Sequence, residues 1–125
     1  ELEMLLARQK VLGVAKAIGL GNGIVWVEEG ESGALGFSFH PVTNGKETKV
    51  VAFVTIYFPQ MVLRGFKLIK GSGRLVLASP SERVVIKEKE TYRPTVGLTD
   101  ELYEALQKDC LRAYSQFVKV KKSGN

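Results

Sequence analysis

Residues 50–80 constrain this chain more than any other stretch. Val-Val-Ala-Phe-Val-Thr-Ile-Tyr-Phe runs from Val50 to Phe58 and stops at Pro59-Gln60. Met61 to Lys70 follows, then a Gly71-Ser72-Gly73 turn, then Arg74 to Pro80. Short runs rich in Val, Ile, Leu and Phe, bounded by Gly and Pro, read as strands. Connections of two or three residues leave no room for a crossover, so successive strands must pair antiparallel.

Two further strands precede this unit. Leu35 to His40 alternates apolar with small or polar residues, and Pro41 closes it. Asn44-Gly45 predicts a tight turn into the 50–58 strand, because type I′ turns need positive φ at both central positions. Ile24 to Val27 is a short apolar run that also reads as a strand. The 50–58 strand is apolar on both faces, with Val50, Ala52, Val54, Ile56 and Phe58 alternating against Val51, Phe53 and Tyr57. Such a strand is buried on both sides. One side should take a helix, the other a second sheet or a subunit.

The chain's ends read as helices. Leu2, Leu5, Leu6, Leu12, Ala15 and Ile18 recur near helical spacing, although Gly13 weakens the pattern and a strand from about residue 10 stays possible. Gly19 to Gly23 ends this element as a chain reversal, not as a phosphate loop, which would follow a strand and open a helix. The polar stretch 28–33 is the candidate boundary. Near the other end, Thr99 is a good N-cap, Asp100 and Glu101 suit the first turn, and Leu102, Leu106, Cys110, Ala113, Tyr114 and Phe117 form one stripe. Lys87 to Glu90 should be exposed, and Tyr92 to Val96 should form a short edge strand interrupted by Pro94. The fold class is therefore α+β: a small antiparallel β-sheet with a C-terminal amphipathic helix and an N-terminal helical or mixed appendage. The organisation is an appendage over 1–34, a domain over 35–118 and a basic flexible tail over 119–125.

Several functions lack the residues they need. His40 is the only histidine and Cys110 the only cysteine. Relay catalysis needs a base beside a nucleophile, and Cys110 sits on an apolar stripe where burial makes a thiol inert. One His and one Cys make no zinc site, and no acidic set has ligand-loop spacing. Glu28-Glu29, Glu88/Glu90 and Asp100-Glu101 sit in polar or helix-start contexts. We expect no enzymatic activity, cofactor, metal or small-molecule substrate. No apolar run approaches the ~18–20 residues of a membrane span, and Lys16 interrupts the 11–20 segment that a signal peptide would need. A single cysteine fits a reducing cytoplasm.

Charge points to a partner. The 125-residue chain carries a net +5. Residues 1–45 hold three Lys/Arg against five Glu, whereas residues 46–125 hold fifteen against eight Asp/Glu. Such asymmetry favours a polyanion. Arg64, Lys67 and Lys70 precede the glycine turn and Arg74 follows it; Arg83, Lys87, Lys89 and Arg93 come after Pro80. Tyr57, Phe66 and Tyr92 are interleaved, with Phe66 a core residue and Tyr92 the one to be exposed. Cations would contact phosphates, and an exposed aromatic could stack on an unpaired base. These eight cations are the candidate nucleic-acid-binding residues.

From Phe37 to Phe117 the chain resembles the SpoVG family (stage V sporulation protein G, a septation protein). The likeness lies in Val-Ala-Phe-Val-Thr-Ile, in Met61 to Gly71, in Gly73-Arg74-Leu75-Val76-Leu77-Ala78-Ser79-Pro80-Ser81, and in the helix ending near Tyr114. It departs at Ser79, where the family usually has Met, at Gly65, and at Glu82-Arg83, where a pair of cations is usual. The resemblance implies a homodimeric bacterial cytoplasmic regulator that binds DNA or RNA and affects gene expression, cell division or sporulation. The competing expectation is a protein-interaction module docking through a sheet edge or through residues 1–34, with Trp26, Ile24 and Val25 as its contacts.

Overall fold

A computed structural model describes residues 1–42 and 49–123. The elements run α1 (Leu2–Ala17), β1 (Val25–Trp26), β2 (Gly36–Pro41), β3 (Val50–Phe58), β4 (Met61–Lys70), β5 (Leu75–Ala78), β6 (Ser81–Ile86), β7 (Lys89–Pro94) and α2 (Asp100–Ser123). The architecture is α+β. Strands β1 to β5 form an antiparallel sheet in chain order, and β6 and β7 form a separate two-stranded ribbon. The predicted Asn44-Gly45 turn lies outside the described residues.

The hairpins follow from their turns. Phe58 pairs with Met61 across Pro59-Gln60, and Lys70 pairs with Leu75 across the glycine turn, where Gly73 takes φ +80°. Two irregularities bend the β3–β4 ladder. One places an extra residue on β3 between Val50 and Ala52; the other places one on β4 between Leu63 and Phe66. The second holds Gly65 at φ +90°, a backbone state suited to glycine, with room for Pro80 3.4 Å from the position a Cβ would occupy. At Pro80 the chain leaves the sheet and enters the ribbon.

Alternation along β3 divides the core in two. Ala52, Val54 and Ile56 face α2, with Phe37, Phe39, Phe66, Leu68, Leu77, Leu106, Cys110 and Ala113. Tyr57 faces the other way, against Val11 and Ala15 of α1, with Trp26, Leu35 and Val62 around it. The second apolar side of β3 is thus covered, in part, by a helix of the same chain. Residues 1–34, expected as an appendage, supply that helix and the edge strand β1.

The N-terminal helix ends as its glycine predicts. Gly19 takes φ +78°, its N–H bonds to the Lys16 carbonyl, and the Leu20 N–H bonds to the Ala15 carbonyl. This satisfies two of the carbonyls a helix end leaves free. Helix α2 begins at the expected cap, where the Thr99 hydroxyl accepts from the Leu102 N–H at 3.2 Å. It continues through Lys119 and Lys121 to Ser123, so these lysines, expected in a flexible tail, ride on its last turns. Cations there complement the helix's negative end.

Candidate nucleic-acid interface

The sheet has one sealed face and one that is only half covered. Helix α2 seals the first with more than apolar contact. Gln107 Oε1 accepts the Leu77 N–H at 3.0 Å, and the Tyr103 hydroxyl donates to the Leu77 carbonyl at 2.6 Å. Both backbone groups of an edge-strand residue are thereby occupied, which blunts β5 against strand addition. Burial raises the Tyr103 phenol above its ordinary range, Glu104 raises it further, and Arg74 opposes them.

Asp109, two residues after Gln107, fastens α2 to the loop before β2. Its carboxylate is 1% exposed and accepts from the Glu31 N–H, the Ser32 N–H and the Ser32 hydroxyl, the last at 2.6 Å. A buried carboxylate is tolerated because these donors replace its water. A Cβ on Gly30 would stand 2.7 Å from the same carboxylate, so the loop can approach only with glycine there. The 28–33 stretch, expected as a boundary, is therefore a fixed contact with α2. In the sequence the only sign of Asp109's role is its place, an acid one residue before Cys110 on a helix face that otherwise packs the core.

The opposite face is covered unevenly. Helix α1 covers it at Tyr57, whose phenol oxygen accepts from the buried Ser38 hydroxyl at 2.6 Å. Four residues along β3, Phe53 lies 46% exposed on the same face. It pairs across the ladder with exposed His40 on β2 and with Lys67 on β4, whose Nζ stands 5.9 Å from its ring centroid. The next row holds half-buried Val50, Ile69 and Val76. Residues 49–81 contain Lys49, Arg64, Lys67, Lys70 and Arg74 and no Asp or Glu.

The eight candidate cations do not gather on one flank. Arg64 sits exposed at the β4 bulge, Lys67 lies on the open face, and Lys70 ends the strand. Arg74 lies beyond the turn, close enough to α2 for its charge to act on Tyr103. Arg83, Lys87, Lys89 and Arg93 all sit on the ribbon, of which no residue is buried and only Val84 is half-buried. There the charge is offset. Arg83 Nε is 2.9 Å from Glu90 Oε1, and Arg93 Nε is 3.8 Å from Glu82 Oε1. Lys87 and Glu88 form the ribbon's two-residue turn with φ +50° and +64°, positive at both positions as type I′ requires, though neither is the Asn or Gly it favours. Of the interleaved aromatics, Tyr57 and Phe66 are buried and Tyr92 is 65% exposed. Phe53 was missed as an exposed aromatic because a run apolar on both faces reads as buried on both.

Other chemistry finds little footing among the described residues. Cys110 is buried, and burial pushes its thiol up to about 12, leaving it protonated at neutral pH. No group of three or more His, Cys, Asp or Glu stands close enough to hold a metal ion, and no helix is long and apolar enough to cross a membrane. Trp26, expected as a docking residue, is half-buried beneath Arg8, whose guanidinium lies 5.1 Å from its ring. Comparison with protein-family models, with curated proteins and with solved structures returns no match.

Proposed function

We propose that the protein binds nucleic acid, DNA or RNA, as a homodimeric regulator and not as an enzyme. The observation that carries this reading is the charge of the sheet. Residues 49–81 hold five cations and no carboxylate, and of these Lys67 lies on the open face while Arg64 and Lys70 are exposed on the same strand, β4. A surface of uncompensated cations releases counterions from a phosphate backbone when it binds, which drives association without reading sequence. The ribbon adds a second, weaker surface, because Glu82 and Glu90 offset two of its four cations. The resemblance to the SpoVG family supports the same reading, and from it come the dimer, the bacterial cytoplasm and a role in gene expression, septation or sporulation.

Gel shifts with duplex DNA, single-stranded DNA and RNA at two salt concentrations test the reading. With four phosphates contacted on a duplex, log affinity should fall against log salt with a slope of about −3.6. Absence of a shift with all three nucleic acids at low salt overturns it. Light scattering tests the dimer, and a monomer at micromolar concentration contradicts it.

A protein-interaction module is the second reading, and α1 favours it. Leu2, Leu5 and Leu6 are 70%, 54% and 48% exposed, on a helix whose only buried residues are Val11 and Ala15. Nucleic acid offers no match for such a surface. If Leu2→Ser/Leu6→Ser abolishes a pulled-down partner and leaves nucleic-acid affinity intact, α1 carries a separate protein contact.

A further inference from the structure

We infer that the open half of the sheet is a binding site for single-stranded nucleic acid, with Phe53 as the platform on which an unpaired base stacks. The inference rests on the nucleic-acid reading and narrows it to one substrate class.

The first argument is position. Phe53 stands on β3, the central strand of the five, where both strand edges are already paired with β2 and β4. Its exposed ring therefore cannot be covered by a sixth strand; only something lying flat on the sheet can cover it. A base is such an object, and an aromatic ring on a sheet face is a sequence-tolerant surface for it.

The second argument is charge. The strands that form this face, β2 to β5, contain no Asp or Glu at all. Across the sheet, His40, Phe53, Lys67 and Ala78 form one row, with Phe53 between a histidine and a lysine. The surface is thus an aromatic between a histidine and a lysine cation that can meet a phosphate, and Arg64 is exposed on the same strand as that lysine. A strand laid across the row would put a base on Phe53 and neighbouring phosphates near Lys67. Complementarity of this kind selects a polyanion over an apolar peptide, which would leave Lys67 without a counter-charge.

The third argument is that the site's present contact is easily exchanged. Lys67 covers the ring in the free protein. Its side chain is long and its three donors rotate freely, so an arriving base can displace it toward a phosphate. A duplex cannot use the platform, because its bases are already stacked and paired. Stacking should therefore separate single strands from duplexes, while the cations attract both.

The test is fluorescence anisotropy with labelled single-stranded DNA, single-stranded RNA and a duplex of equal length, read for wild type, Phe53→Leu, Phe53→Trp and Lys67→Ala. Phe53→Leu should weaken both single strands about 10-fold, the size of one lost stacked base, and leave the duplex unchanged. Phe53→Trp should keep or tighten single-strand binding. Lys67→Ala should weaken all three and reduce the salt slope by about 0.7 for a single strand. Circular dichroism of each variant guards against misfolding. If single strands bind Phe53→Leu as tightly as wild type, the platform is overturned while the nucleic-acid reading stands. If wild type binds none of the three, that reading falls and the platform with it.

Discussion

The two faces of the sheet obey opposite rules. Against α2, polar groups that enter the interior find partners: Asp109 holds the 31–32 loop, and Gln107 and Tyr103 hold both backbone groups of Leu77. On the other face, α1 packs against Tyr57 and Thr55 beside it is still buried, and beyond them Phe53 and His40 lie exposed beside half-buried Lys67. The first face is closed by packing and paired polar groups, and the second leaves side chains exposed. Exposure on the second face is local, since its residues on one strand run from Tyr57 at 0% to Phe53 at 46%. Substitutions should divide accordingly: severe for folding on the α2 face, severe for binding on the other.

The largest expected effect is on the sealed face. Leu106 is fully buried in the main core, so Leu106→Ala should cost about 3 kcal/mol in urea unfolding. A loss under 1 kcal/mol would mean that α2 is not seated as described. Asp109→Ala follows. It strands three donors that now share one carboxylate, at a cost of about 2 kcal/mol, and amide exchange at Glu31 and Ser32 should accelerate most. Asp109→Asn, which keeps an acceptor, should fall between that variant and wild type.

Alkali should reach the same face more gently. The Cys110 thiol lies in the folded protein at about 12, against 9.0 for the unperturbed group. A folded pKa above the unfolded one makes the buried thiol's contribution complete below about pH 9 and lost as pH climbs toward 12. The excess slope is at most about 1.4 kcal/mol per pH unit. The stability difference between wild type and Cys110→Ala should therefore shrink above pH 9, and a difference that stays constant would show the thiol free to ionise.

On the open face, folding should barely notice. Phe53→Leu should change stability by no more than about 0.5 kcal/mol, as surface substitutions do, against about 10-fold for single-strand binding. A large stability loss there would make Phe53 a packing residue. The ribbon supplies the finest comparison. Glu82→Gln/Glu90→Gln releases Arg83 and Arg93 from exposed ion pairs worth only about 0–1 kcal/mol each. If the ribbon touches phosphates, the duplex salt slope should steepen by up to about 1.8; an unchanged slope clears the ribbon.

Much of the scaffold was legible because local signals agreed with one another. The Pro59-Gln60 and Gly71-Ser72-Gly73 turns bound the strands they join, and Thr99 marks the start of α2. The N-terminal region was less legible because α1 buries only two residues, so its leucines made no single apolar stripe to read. Coverage was illegible altogether. Nothing in Val50 to Phe58 says that α1 reaches Tyr57 and stops short of Phe53, since that depends on where the Gly19 reversal sends the chain. Charge pairing was hidden in the same way. Counting put four cations on the 81–94 segment, but cross-strand register brings Arg83 to Glu90 and Arg93 to Glu82. Asp109 escaped because acids on a helix are usually solvated, and only the 31–32 loop shows why this one is not.

The central claim is that the carboxylate-free sheet, not the ribbon, grips the polyanion. The most direct measurement is the affinity of a labelled single-stranded oligonucleotide across ionic strength, for wild type, for Arg64→Glu/Lys67→Glu, and for Arg83→Ala/Lys87→Ala/Lys89→Ala/Arg93→Ala. The account predicts steep salt dependence in wild type, at least a 10-fold loss with a flattened slope in the sheet variant, and a smaller loss in the ribbon variant. A flat salt response in wild type, or a sheet variant that binds as tightly as wild type, would contradict it.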